Sequence, residues 1–307
     1  MQRVLITGSS GFLGHYLKRQ LDELEFQVFG YDKRETSDKN QFTGDITDRN
    51  AIKNALQRSE PEVIFHLAGL IKSDQVETFY AANVLGTVGL FESLLETGQR
   101  PIVIVPSSSS VYGSGRGTKP ITERSPLRPM THYAVSKLAQ EAAALRYWNA
   151  FQLPVIVTRP FNLLGPGQPP DLACSAFARQ IALAEVRGTE EIVTGALTNR
   201  RDFVDVRDVV RAFVLAAEMG KPGQVYNVCS GRAVLMKKCL DELLSMSPHP
   251  LKVRLDAQRV QKNDVAIQVG SAQKLQKTTG WRPKISLKQS LSDLLEYWRQ
   301  RVQSEVE

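Results

Sequence analysis

Short apolar runs alternate with stretches of helical periodicity through the first 160 residues. Val4–Thr7, Gln27–Tyr31, Glu62–His66, Ile102–Pro106 and Val155–Thr158 are strand-length runs bounded by turn residues. Between them the apolar spacing changes to three and four. Leu13, Leu17 and Leu21 share one helical face, and Asp48 is placed to cap a helix over Asn50–Leu56. Val84, Leu85, Val88, Phe91, Leu94 and Leu95 mark another stripe, and Tyr133–Trp148 reads as an alanine-rich helix. This alternation predicts an α/β fold, a doubly wound parallel sheet covered by helices on both faces.

Beyond Arg159-Pro160 the pattern breaks. Gly165–Pro170 leaves no room for regular structure. Helices Ser175–Arg187 and Val206–Glu218 flank a polar loop around Thr194–Arg200, and Val225–Val228 reads as a late strand returning to the main sheet. Residues 232–307 read as helix, strand, helix. We expect a dinucleotide-binding unit over 1–160 and a smaller substrate-binding α/β portion over 161–307, with a segment near 203–230 rejoining the main sheet.

The turn after the first strand carries the first chemistry. Gly8, Gly11 and Gly14 recur every third residue, and Phe12 and Leu13 open the helix. Such a Rossmann-type turn lets the backbone approach a pyrophosphate, whose charge then rests on the helix N-terminus. Asp32 follows the second strand, where an acid accepts from the adenosine ribose hydroxyls or else ends a surface turn. The ribose role favours NAD(H), because a carboxylate repels a 2′-phosphate. Lys33 and Arg34 could hold such a phosphate, so NADP(H) stays open. Asp45 and Ile46 fall near the adenine, and Leu67, Ala68 and Gly69 end the third run with residues small enough for close approach or for plain packing. Pro160, closing the fifth run, joins the cofactor set.

Tyr133 and Lys137 stand at i and i+4, on one helical face. A phenol ionises near pH 10, and a neighbouring ammonium lowers that value, so the pair is suited to proton transfer. Lys137 could also hold the nicotinamide ribose. Ser107–Ser110 end a strand at the ligand-facing edge, where one hydroxyl can bind a substrate oxygen beside Tyr133.

The 307 residues carry a net charge of +7, either a solvated basic surface or an attraction for a small anionic substrate. The basic residues are dispersed and match no nucleic-acid-binding motif. No segment reaches the ~18 apolar residues of a membrane span. The chain enters its first strand without a signal peptide, so we expect a cytosolic protein. Three cysteines without a C-x-x-C suit a reducing compartment, and four scattered histidines predict no metal site.

Taken together, Thr7-Gly8-x-x-Gly11-x-x-Gly14, Ser107-Ser108-x-x-Val111-Tyr112-Gly113, Tyr133-x-x-x-Lys137, Arg159-Pro160-Phe161-Asn162, Arg201–Val206 and Thr279–Pro283 resemble the extended short-chain dehydrogenase/reductase family over nearly the whole chain. The resemblance implies NAD(P), a Ser-Tyr-Lys triad with Ser108 as its hydroxyl (Ser107 and Ser109 remain alternatives), and a nucleotide diphosphate sugar as substrate. It also implies a homodimer through a four-helix bundle, built here from Thr78–Glu96 and Tyr133–Trp148. Asn162 and Arg201 match positions that hold the diphosphate, and Arg179 is similarly placed. Dehydratases of the family carry Asp-Glu after the triad hydroxyl. Ser109 and Ser110 stand there instead, facing the substrate without an acid.

Phe161–Gln168, Phe177–Ile181 and Val225–Gly231 resemble the branch that reduces GDP-4-dehydro-6-deoxy-D-mannose to GDP-D-rhamnose, a polysaccharide precursor. Three positions depart from that branch. Leu163 replaces a histidine, His132 replaces the proline before Tyr133, and Gln261-Lys262-Asn263-Asp264 replaces an Arg-x-x-Glu, with Arg259 or Lys262 as the substitute base. The expected activity is NAD(P)H-dependent reduction of a C4 ketone. The alternatives are a nucleotide-sugar 4-epimerase, a dTDP- or UDP-ketosugar reductase, and a non-catalytic NAD(P)-binding sensor, which would need neither Tyr133 nor Lys137.

Overall fold

Strands apolar on both faces belong inside a parallel sheet, and the chain obeys this rule. The computed structural model describes residues 2–114, 117, 119–259 and 265–306. In chain order the first part comprises β1 (Arg3–Thr7), α1 (Phe12–Glu23), β2 (Gln27–Asp32), β3 (Gln41–Thr43), α2 (Arg49–Ser59), β4 (Val63–His66), α3 (Val76–Tyr80), α4 (Gly86–Thr97), β5 (Ile102–Pro106), α5 (His132–Phe151) and β6 (Val155–Pro160). There follow β7 (Asn162–Leu164), α6 (Ala173–Arg187), β8 (Glu191–Thr194), β9 (Arg200–Asp205), α7 (Val206–Met219), β10 (Val225–Val228), β11 (Ala233–Leu235), α8 (Met236–Leu244), β12 (Lys252–Leu255), α9 (Gln273–Thr279) and α10 (Leu287–Val306).

Seven strands make one parallel sheet in the order β10-β6-β5-β4-β1-β2-β3. The order reverses between β1 and β4, and ligands of such sheets bind at the carboxyl ends beside that switch point. Alternate residues of each strand feed two cores. Val4, Ile6, Phe65, Ile104 and Ile156 pack with α1, α7, Leu275 of α9 and Trp281. Leu5, Ile64, Val103, Val105, Val155 and Val157 pack with α2, α4 and α5. Val225–Val228 does return, as β10 beside β6.

A third core joins α6, α8 and α10 with Ile192. Around it β7, β9 and β11 form one small sheet, and β8 and β12 another. The C-terminal segment is richer than helix, strand, helix, because β11 precedes α8 and α9 precedes α10. Residues 261–264 lie outside the described residues.

The stripe before residue 95 differs from its expected register. Ala81–Leu85 forms a π-turn between α3 and α4. The wider turn rotates the face that follows. Leu85 is therefore 62% exposed, while Asn83, Gly86 and Thr87 turn inward with Leu90, Phe91 and Leu94. Asp48 caps α2 as expected, accepting from the Asn50 and Ala51 amides at 3.0 Å each.

Candidate active site

The glycine turn is shaped by close backbone approach. Gly8 sits at φ +74°, and a Cβ on it would lie 2.7 Å from the Ala68 nitrogen at the end of β4. A Cβ on Gly14 would strike the Gly8 carbonyl oxygen. The Gly8 amide donates to the Tyr31 carbonyl at 2.7 Å, tying the turn to β2. Helix α1 starts with no side-chain cap and no acid in its first turn, so its amides keep the positive end of the dipole open. These features fit a dinucleotide pyrophosphate, which would rest against Gly11, Phe12 and Leu13. The Leu13 side chain itself packs into the main core. Phe12 meets Tyr16 edge-on at 5.7 Å, and the Tyr16 hydroxyl donates to the Pro166 carbonyl at 2.8 Å, fastening the 165–170 loop beside the turn.

Asp32 and Arg34 share this mouth. Asp32 accepts from the Ser10 amide at 3.1 Å and the Arg34 amide at 3.0 Å, while the Arg34 guanidinium donates to the Ser10 carbonyl. Lys33 is exposed. Asp45 is engaged locally. Thr47 donates to its carboxylate from the amide at 2.9 Å and the hydroxyl at 2.7 Å, which holds it below the usual carboxylate range. Ile46 packs under Gly86, where a Cβ would come within 2.9 Å of it.

Tyr133 lies in the first turn of α5, which the Thr131 hydroxyl caps by accepting from Ala134 at 3.1 Å. Ser108 accepts from the Ser110 amide at 3.1 Å. Burial raises the Tyr133 pKa, and a hydrogen bond with Ser108 pulls it partly back. The expected lowering by Lys137 is not what the structure shows. The Lys137 ammonium is buried and donates to Gln140 Oε1, and burial lowers its own pKa to about 8 against the opposing pull of Glu141. Desolvation thus disfavours the Tyr133 phenolate.

The other serines divide. The Ser109 hydroxyl turns inward and donates to Gln268 Oε1 at 3.1 Å, while Gln268 Nε2 donates to the Ser109 carbonyl at 3.0 Å. The Ser107 and Ser110 hydroxyls are buried without a hydrogen-bond partner among the described residues.

Buried polar contacts lock α5 in place. Arg159 on β6 grips Glu141 through two bonds of 2.8 and 2.6 Å and donates to the Tyr112 hydroxyl at 2.8 Å. Both charges are almost wholly enclosed, with 5% and 3% of the side chains exposed. From the π-turn, Asn83 donates to Ser136 at 2.9 Å and to the Leu70 carbonyl at 3.1 Å, and accepts from the Leu70 amide at 2.8 Å. The strand end Leu67-Ala68-Gly69 passes directly over it, and a Cβ on Gly69 would strike Asn83 Oδ1.

In the C-terminal half, Asn162 donates to the Asp202 carbonyl at 3.1 Å across the β7–β9 pair. Arg201, on that neighbouring strand, donates to the carbonyls of Val265 and Arg200. Asn162 and Arg201 therefore share one small sheet. Arg179 stands on α6 with its guanidinium 5.7 Å from the Trp298 ring of α10. Pro160 is buried at the end of β6. Leu163 packs against the main core, and His132 pairs with the Tyr80 hydroxyl at 3.1 Å. Arg259 falls in a short 3-10 turn, Ala257–Arg259, and its side chain lies outside the described residues, as do Lys262 and its neighbours.

Three residues of this site escaped the sequence reading. Gln140 carries a legible signal, because i+3 from Lys137 shares its face. Asn83 depends on the π-turn, and Gln268 reaches Ser109 across 159 residues of chain, which no local pattern reveals.

Residues 4–229 match the NAD dependent epimerase/dehydratase family, and the chain belongs to it. It is a nicotinamide-dependent enzyme on a Rossmann-type fold. It is 32% identical to the GDP-6-deoxy-D-mannose reductase of Pseudomonas aeruginosa, over 99% of both chains. The structure of RMD from Pseudomonas aeruginosa complexed with NADPH superposes with a TM-score of 0.88 at 31% identity, covering 98% of this chain and 100% of that one. The UDP-glucose 4-epimerase of Thermus thermophilus in complex with NAD gives 0.86 at 25% identity, covering 97% and 99%.

Proposed function

We propose that the protein reduces the C4 ketone of a nucleotide-activated 6-deoxyhexose, converting GDP-4-dehydro-6-deoxy-D-mannose to GDP-D-rhamnose. The observation that carries this reading is the chemistry around Ser108. The two following positions hold hydroxyls rather than acids, and Ser109 is turned onto Gln268, so nothing there can remove water from the sugar. Tyr133, kept protonated by burial, hands its proton to the forming alkoxide. Ser108 hydrogen-bonds the same oxygen, and Lys137 supplies a nearby positive charge and a donor for the nicotinamide ribose. Gly8–Gly14 and Asp32 would hold the reduced cofactor, which when bound would supply the hydride. Arg34 beside Asp32 suits NADPH, and Asp32 itself suits NADH. Asn162 and Arg201 hold the diphosphate, with Arg179 and Arg259 supporting from the C-terminal portion.

In this reading residues 1–160 bind the cofactor and 161–307 bind the sugar nucleotide, in a cytosolic enzyme. Two copies pair through Thr78–Glu96 and Tyr133–Trp148, where Leu85 of the π-turn and Val135 of α5 are exposed at 62% and 38%. Likeness to a UDP-glucose 4-epimerase holding NAD favours one second reading, a 4-epimerase with the same triad. Turnover of enzymatically prepared GDP-4-dehydro-6-deoxymannose, followed by NADH and NADPH oxidation and product NMR, separates them. Stoichiometric oxidation with a GDP-6-deoxyhexose product is expected. Absence of oxidation with cofactor binding intact would sink the reductase reading.

A further inference from the structure

A chain of buried hydrogen bonds runs from Thr7 at the end of β1 to Lys137, and its direction can be worked out. The Thr7 hydroxyl accepts from the Ala68 amide at 3.2 Å, so its hydrogen is free for His66 Nδ1 at 2.8 Å. The Thr87 hydroxyl spends its one hydrogen on the Asn83 carbonyl at 2.7 Å. Its two remaining partners, His66 Nε2 at 2.9 Å and Gln140 Nε2 at 2.8 Å, must therefore both donate. His66 is then the Nε2–H tautomer, neutral and fully satisfied, in keeping with the fall of its pKa to about 3 on burial. Gln140 has no freedom to flip, because its NH₂ must face Thr87. Its carbonyl oxygen is left aimed at Lys137.

We propose that Gln140 is a positioning residue, a fixed acceptor that holds the Lys137 ammonium charged and in place through the Thr7–His66–Thr87 chain. This rests on Lys137 serving as the site's catalytic lysine. The groups facing that ammonium leave Gln140 a clear task. Glu141 on the same helix is committed to Arg159 of β6, His66 of β4 is neutral, and Tyr133 is protonated. A neutral acceptor thus offsets the burial that works against the charge.

The test is NADPH affinity against pH, read by cofactor fluorescence for wild type, Gln140→Leu, Gln140→Glu and Lys137→Met. Wild-type affinity should fall as pH rises through the Lys137 titration, and Lys137→Met should flatten the curve. Loss of the acceptor in Gln140→Leu should move the midpoint down by about one pH unit, and the carboxylate of Gln140→Glu should move it up by about one. A purely structural role would not shift two variants of similar size in opposite directions. Midpoints unchanged, or moved the same way, would overturn the proposal. A pH curve that survives Lys137→Met would overturn the role given to Lys137 and the proposal with it. No sugar enters the experiment, so its failure is separate from failure of the reductase reading. Gln140→Glu keeps the side-chain volume and guards against a Gln140→Leu variant that does not fold.

Discussion

The wall proposed for the cofactor and the wall proposed for the sugar nucleotide are built differently. On the proposed cofactor wall, Gly8, Asp32, His66 and Lys137 are tied by hydrogen bonds to residues of neighbouring elements. On the wall proposed for the sugar nucleotide, Asn162 and Arg201 engage backbone carbonyls of β9 and of the 265 region, and the Arg179 guanidinium lies 5.7 Å from an indole. The contrast is physical. Polar groups that bond to one another in this way are preorganised. A guanidinium such as that of Arg201 gives a diphosphate charge-assisted hydrogen bonds stronger than those it makes to neutral carbonyls.

Substitutions on the two walls should therefore fail in different ways. The largest effect is expected from Tyr133→Phe, which removes the proton donor while leaving its ring packed against Phe79. Turnover should fall by about 10²–10⁴-fold with NADPH affinity unchanged, as a fluorescence titration would check. Full turnover would remove Tyr133 from the mechanism. Next comes Glu141→Ala, which strands the buried Arg159 charge and should cost about 3–5 kcal/mol in urea unfolding. A loss below ~1 kcal/mol would show that the cofactor wall is not held by this pair.

Arg201→Ala tests the opposite wall. It should raise KM for the sugar nucleotide by roughly tenfold, the loss of about one charge-assisted bond, with stability and NADPH affinity nearly constant. Equal damage to cofactor binding would erase the distinction between the walls. The smallest effect is expected at Lys72, whose pair with Asp171 at 3.0 Å joins the loop after β4 to the loop before α6. Both side chains are exposed, so Lys72→Ala should change turnover by less than ~twofold, and added salt should mask the difference.

Legibility followed the same division. The glycine turn and the placing of Tyr133 and Lys137 on one face were readable because each depends on spacing within one turn or one helix, where geometry is periodic. The strands β5 and β10 appeared at their expected bounds for the same reason. The π-turn was not readable, since one inserted residue changes the face of a helix without changing its composition. It turned Leu85 outward and brought Asn83 and Thr87 inward.

The sequence alone determined the alternation that makes the sheet, the glycine turn after the first strand and the placing of Tyr133 and Lys137 on one helical face. Tertiary structure decided how those side chains are charged and aimed. Lys137 reads from sequence as the partner of Tyr133. The fold brings Thr7, His66 and Thr87 from three separate elements to orient Gln140, and Lys137 bonds to that amide instead. Likewise Ser109 reads as open to substrate until the distant Gln268 arrives beside it. Local spacing sets which groups share a face, whereas acidity and hydrogen-bond direction depend on desolvation and on partners supplied by remote parts of the chain.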